Sequence, residues 1–133
     1  MSQENVESMR QVVDAFNRRD KAAWLATVDP GAEMFPASEW PENAPIRGAE
    51  AIWDFQVETT GAWEEVSFEF GEIIESGTDT VVAKLWAETR GKASGAGVAF
   101  SYWLVHTFRN GKAIRFEWFA DRAQALEAAG LRA

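Results

Sequence analysis

Residues 100–131 read FSYWLVHTFRNGKAIRFEWFADRAQALEAAGL, and their reading decides the fold. Residues 100–108 are rich in aromatic and β-branched side chains and lack proline, the composition of a strand. Asn110-Gly111 then predicts a two-residue hairpin turn, because both of its central positions require positive φ. The segment KAIRFEWF, residues 112–119, returns as the second strand. Asp121, with Gln124 three residues later, reads as the cap of a short terminal helix that Gly130 stops. A hairpin running without a spacer into a helix predicts a bent sheet with the helix folded back on it.

Working toward the N-terminus, Thr80 to Thr89 reads as a further strand, joined to the hairpin by a Gly-rich tip at residues 90–97. Before it, Val66, Phe68 and Phe70 alternate with polar residues, Gly71 permits a bulge, and Ser76 to Asp79 turns the chain. Upstream the period changes. Ala49, Ile52, Trp53, Gln56, Thr60 and Trp63 mark the inner face of a helix that Gly61 weakens or ends. PASEWPENAPIRG, residues 36–48, carries three prolines and reads as a long loop, placed to act as a pocket lid. A brief strand over Ala32–Phe35 precedes it, after a turn at Asp29-Pro30-Gly31. Asp20 caps a short helix with Trp24, Leu25 and Val28. Val6, Met9, Val13 and Phe16 give residues 3–18 an amphipathic first helix, with Arg18 and Arg19 at its C-terminal end. The order predicts one α+β domain over residues 1–133: a strongly curved antiparallel sheet packed on N-terminal helices, with a short C-terminal helix.

Composition narrows the partners. Twenty-one acidic against 13 basic residues give a formal charge of −8, a surface that repels phosphate backbones and anionic lipid, so neither nucleic acid nor membrane is expected. No cysteine is present, which excludes disulfides and thiolate metal sites and suits a reducing cytoplasm. The opening MSQENVESMRQ does not read as a leader, and no apolar run approaches the ~18 residues of a membrane span. One histidine and no spaced acidic loop offer no metal-ligand set, and no cofactor motif occurs: GKASGAG, residues 91–97, fits neither a phosphate-binding loop nor a nucleophile elbow.

Three segments carry a family likeness. NVESMRQVVDAFNRRDKAAWLATVDP (residues 5–30), IRGAEAIWDF (46–55) and GKAIRFEWFADRAQALEAAGL (111–131) resemble the SnoaL-like branch of the nuclear transport factor 2-like superfamily. The resemblance implies a cone-shaped α+β barrel around an apolar cavity, sheet-to-sheet dimers, and a choice among isomerases, epoxide hydrolases, polyketide cyclases and non-catalytic binding domains. Aligned through AFNRRD and HTFRNGK with the ketosteroid isomerase pattern, the base aspartate falls on Pro36, the oxyanion-hole tyrosine on Val12 and the neutral acid on Val105. None of the three groups is retained. The catalytic aspartate of the epoxide hydrolase pattern falls on Trp118, with Glu117 adjacent but directed to the opposite face.

If Val105 and Trp118 face the cavity, alternation adds Ser101, Trp103, Thr107, Ile114 and Phe116, and the neighbouring strand adds Ala83, Leu85 and Ala87. The expected ligand contacts are Trp40, Gln56, Leu85, Ser101, Trp103, Val105, Thr107, Phe116 and Trp118, with Gln56 able to orient a ligand oxygen. Glu39, in the Pro-rich loop beside Trp40, is the one nominated base. His106 is assigned outward. The outer face is then Lys84, Trp86, Glu88, Phe100, Tyr102, Leu104, His106, Arg115, Glu117 and Phe119, aromatic enough to predict a homodimer. The functional expectation is a small, largely apolar ligand, with cofactor-free isomerase, cyclase or hydrolase chemistry on one reading and a binding or sequestering module on the other.

Overall fold

A computed structural model describes residues 2–60, 63–91 and 97–131. Helix α1 (Ser2–Asn17) buries Met9, Val12, Val13 and Phe16, the three- and four-residue spacing that puts side chains on one stripe. Asp20 caps α2 (Lys21–Thr27) by accepting the Ala23 N–H at 3.1 Å. Val28 belongs to β1 (Val28–Phe35) and not to the helix. Asp29-Pro30-Gly31 does not turn the chain; it is absorbed as a break in register between Val28 and Glu33, where Pro30 has no N–H to pair. The Pro-rich loop ends in a two-residue strand the sequence did not announce, β2 (Ile46–Arg47), paired back on β1.

Helix α3 spans Ala49–Thr60, and Trp63 opens β3 (Trp63–Ser76) instead of extending the helix; Gly61 lies outside the described residues. Then follow β4 (Thr80–Gly91), β5 (Gly97–Arg109), β6 (Lys112–Phe119) and α4 (Arg122–Ala128). Residues 92–96 of the Gly-rich tip lie outside the described residues. The sheet order is β2-β1-β6-β5-β4-β3, antiparallel except for the parallel pair β1–β6, and it stays open between the edges β2 and β3. The expected bulge at Gly71 is present, as a register shift between Phe70 and Ile73. Among the described residues no helix is long and apolar enough to cross a membrane.

Helices α1 to α3 pack against the concave face. Trp24 stacks on Phe116 at 6.0 Å and meets Trp53 at 5.5 Å, while Phe16 contacts Trp53 edge-on at 5.6 Å. Asn17 stitches α1 to β3, its amide donating to the Phe68 carbonyl and accepting the Phe68 N–H, both at 2.9 Å. Helix α4 takes the opposite face. Asp121 caps it through the Gln124 N–H at 2.8 Å, and Ala125 and Leu126 pack on Val82, Trp103 and Val105. Arg122 anchors it by two hydrogen bonds to Glu72, each 3.0 Å.

The β5–β6 hairpin corrects the expected facing of β5. Around the Asn110-Gly111 turn, Arg109 pairs with Lys112 and Phe108 with Ala113, but the next pair is Thr107 with Arg115. Ile114 is the extra residue of a β-bulge. An unbroken hairpin would set Val105 opposite Phe116 and Trp103 opposite Trp118. With the bulge, His106 opposes Phe116 and Leu104 opposes Trp118, and directly opposed residues share a face. Ser101, Trp103, Val105 and Thr107 therefore lie on the α4 side, away from the concave face. Phe100, Tyr102, Leu104 and His106 point inward, opposite Ala87, Leu85, Ala83 and Val81 of β4. Four members of the expected dimer face thus turn to the concave side, and the side chain of Glu88 lies outside the described residues.

Candidate functional site

The concave face is not completely filled. A cavity of about 420 Å³ remains between the sheet and α3, under the Pro-rich loop. Phe16 of α1, Phe55 and Gln56 of α3, Phe68 of β3, Tyr102 of β5 and Trp118 of β6 form its walls, and Phe100 stands at a half-open edge. These rings are too large and too rigid to interdigitate to crystal-like density, so the space left over is apolar.

Trp40 roofs the cavity. The loop holds it by donating its N–H to the Ala37 carbonyl at 3.0 Å and by a bond from Asn43 Nδ2 to the Ser38 carbonyl at 2.9 Å. Its ring meets Tyr102 edge-on at 5.2 Å and Trp118 at 5.6 Å. Polar groups are few. The hydroxyls of Thr59 and Thr60 donate to helix carbonyls, of Phe55 at 2.9 Å and of Gln56 at 2.8 Å. Glu42 is exposed at the rim.

Behind Gln56 and Trp118 lies a second space of about 20 Å³, sharing Phe16, Gln56, Phe68 and Trp118 with the main cavity. His106 lines it, 1 % exposed. Burial pushes its imidazole down from the usual 6.5 to about 3, so the ring is neutral at physiological pH. Gln56 Oε1, Trp118 Nε1 and both His106 nitrogens are buried without a hydrogen-bond partner. Each such group costs on the order of 1–3 kcal/mol when unpaired.

Of the residues expected at the site, Trp40, Gln56 and Trp118 line the main cavity, and Leu85 and Phe116 line the small one. Ser101, Trp103, Val105 and Thr107 do not join them, for the bulge turns them to the other face. An acid that must face the cavity therefore has no counterpart at Val105. Glu39 is also corrected: it is exposed, outside the cavity lining, with the Ser38 hydroxyl donating to its carboxylate at 3.3 Å. Glu117 points away as expected and pairs with Arg115 at 3.2 Å; burial pushes its carboxyl up, with Arg115 opposing. The missed residues are His106, Tyr102 and Phe100. β6 carries Arg115 and Glu117 on one face as a signal of orientation, whereas β5 between Phe100 and Phe108 has no charge at all. Among the described residues no three His, Asp or Glu side chains gather as a metal site.

The architecture has many relatives among solved structures. TerC co-crystallised with polyporic acid matches with a TM-score of 0.75 at 22% identity, over 96% of this chain and 98% of that one. A candidate SnoaL-like polyketide cyclase from Jannaschia sp. CCS1 matches with a TM-score of 0.77 at 20% identity, over 96% of this chain and 92% of that one. An NTF2-like protein from Burkholderia xenovorans LB400 matches with a TM-score of 0.73 at 25% identity, over 97% of each chain. A search of curated protein sequences finds no match. The model of the SnoaL-like domain matches residues 9–116, from α1 to the inward-facing Phe116, and the chain belongs to that family.

Proposed function

We propose that this protein binds a small, largely apolar molecule in the cavity beneath Trp40. The observation that carries the reading is a space of about 420 Å³ walled by aromatic rings, within the roughly 300–1,000 Å³ of ligand sites. That TerC, of the same fold, was crystallised with polyporic acid supports a cone that admits a small organic molecule. Binding without catalysis is the better-supported form. Glu42, the carboxylate on the described lining, is exposed at the rim, and an imidazole near 3 is a weak base at neutral pH. Cofactor-free isomerase, cyclase or hydrolase chemistry is the second reading, supported by the likeness to a candidate polyketide cyclase.

Intrinsic fluorescence tests binding, because Trp40 and Trp118 both border the space. Micromolar terpenoid, steroid and quinone compounds should shift or quench emission, and the double variant Trp40→Phe, Trp118→Phe should lose most of that change. A spectrum unmoved by the whole panel overturns the reading.

Self-association is proposed through a smaller patch than the expected one. α4 covers Trp103 and Val105, while Trp86 stays 43 % exposed with the Lys84 ammonium 4.4 Å from its ring. An aromatic flanked by charge suits contact with a second copy.

A further inference from the structure

The small space behind the main cavity brings together the chain's only histidine, an amide and an indole N–H from three different elements: His106 of β5, Gln56 of α3 and Trp118 of β6. The remaining walls are apolar, among them Val12, Trp24, Leu85 and Leu104, and among the described residues no charged side chain lines them. Four buried polar atoms without a protein partner gather on three side chains around this one space, whereas most buried polar atoms in a folded protein are paired. An apolar trio of the same shape would fill the space without that cost, so the arrangement points to an occupant that supplies the missing bonds.

Size and chemistry describe the occupant. About 20 Å³ is just above the ~10–15 Å³ needed for one water-sized group, and it is too small for a carboxylate or phosphate with several oxygens. Trp118 Nε1 donates, Gln56 Oε1 accepts, and a neutral imidazole offers one donor and one acceptor. This set carries no formal charge. It suits an oxygen that both donates and accepts, and it offers no cation to offset a buried anion. The His106 ring is held in place by edge contacts with Phe116 at 4.6 Å and Phe108 at 5.7 Å, so its nitrogens present a fixed direction.

We propose that this recess is the polar end of the ligand site, where His106, Gln56 and Trp118 together hold one uncharged hydroxyl of the apolar molecule. The proposal rests on the binding reading above and deepens it: the ligand class becomes neutral phenols and alcohols, with acids excluded. A bound water would have the same chemistry as the ligand oxygen. Probes that differ only in that oxygen separate the two sources.

The probes are naphthalene, 2-naphthol and 2-naphthoate, titrated calorimetrically against the wild-type chain and against Gln56→Leu, His106→Leu and Trp118→Phe. The wild type should bind 2-naphthol about tenfold more tightly than naphthalene and bind 2-naphthoate more weakly than either, a factor of ten being the scale of one net hydrogen bond. Each variant should lose most of the preference for naphthol over naphthalene, read as the ratio of the two affinities within that variant. Should His106→Leu fail to fold, Trp118→Phe still removes a donor while keeping an aromatic ring. Equal affinity for naphthalene and naphthol overturns the recess as a ligand subsite and leaves the binding reading standing; a water filling it would give that result. Absence of binding by all three probes overturns both.

Discussion

The two faces of the sheet are built from the same alternating strands, yet the part of the convex face under α4 is covered while the concave face encloses a cavity. On the convex side, the seven residues of α4 lay Ala125 and Leu126 directly on Val82, Trp103 and Val105. On the concave side, α1 and α3 reach the sheet through Phe16, Phe55 and Gln56, which hold the layers apart and leave about 420 Å³ between them. Polar groups divide in the same way. Glu72, Arg122, Arg115 and Glu117 pair on the convex side, whereas Gln56, His106 and Trp118 carry unpaired atoms inside. A close-packed face is therefore a scaffold, and the face that is loosely packed with unsatisfied groups is where a ligand can contribute free energy.

The sharpest test of this contrast is truncation of one large ring on each side. Trp103→Ala on the closed face should cost about 3–5 kcal/mol of unfolding free energy in denaturant titrations, as large-to-small changes in packed cores do. Phe100→Ala at the open edge, where the ring is already 36 % exposed, should cost well under half as much. Equal losses would mean that the cavity side is packed as firmly as the α4 side.

A smaller effect comes from His106, the only titratable side chain fully buried among the described residues. His106 is held neutral with a pKa of about 3, while the unfolded chain binds its proton near 6.5, so between these values the unfolded state carries more protons and stability falls as pH falls. From pH 7 to pH 5 the loss should be about 2 kcal/mol. Glu117, its carboxyl raised by burial, works in the opposite direction: its contribution is present at low pH and lost as pH rises. The comparison is therefore between wild type and His106→Leu, whose unfolding curves at pH 5 and pH 7 should differ by that much less. Parallel pH dependence in the two proteins would place the imidazole in contact with solvent.

The smallest effect on stability, and the one confined to the convex face, is at Trp86. Trp86→Glu should leave the unfolding midpoint nearly unchanged and shift sedimentation toward monomer at ~100 μM, above the micromolar range of weak complexes. Wild-type protein that sediments as a monomer at that concentration would reduce the patch to an exposed ring stacked on Lys84.

Much of this arrangement was legible in the chain. The hairpin at Asn110-Gly111, the caps at Asp20 and Asp121, the bulge at Gly71 and the lid-like Pro-rich loop each follow from local chemistry, because a turn, a cap or a run of prolines acts on its nearest neighbours. Gln56 was placed at the cavity by the apolar stripe of α3, Trp118 by the family likeness and Trp40 by its position in the Pro-rich loop, and all three line the space. His106 and Tyr102 were not legible. Residues 100–108 are apolar or neutral on both faces, so no pattern in the segment states which face is inward.

That decision belongs to Ile114. Nothing in KAIRFEWF marks the residue as a bulge, and its insertion depends on how β6 must bend to meet β1 on one side and β5 on the other. Apart from β2, the amino-acid sequence by itself determined the element order, the hairpin, the caps and the α+β class, since those rest on propensities and periodicities within a few residues. Only the tertiary structure decided that Trp103 and Val105 go under α4, that Glu39 stays in solvent, and that His106 joins Gln56 and Trp118 in the interior. The physical reason is the two-residue period of a strand: a single extra residue reverses the facing of one strand relative to its neighbour, and the free energy that places it is spread over the whole sheet.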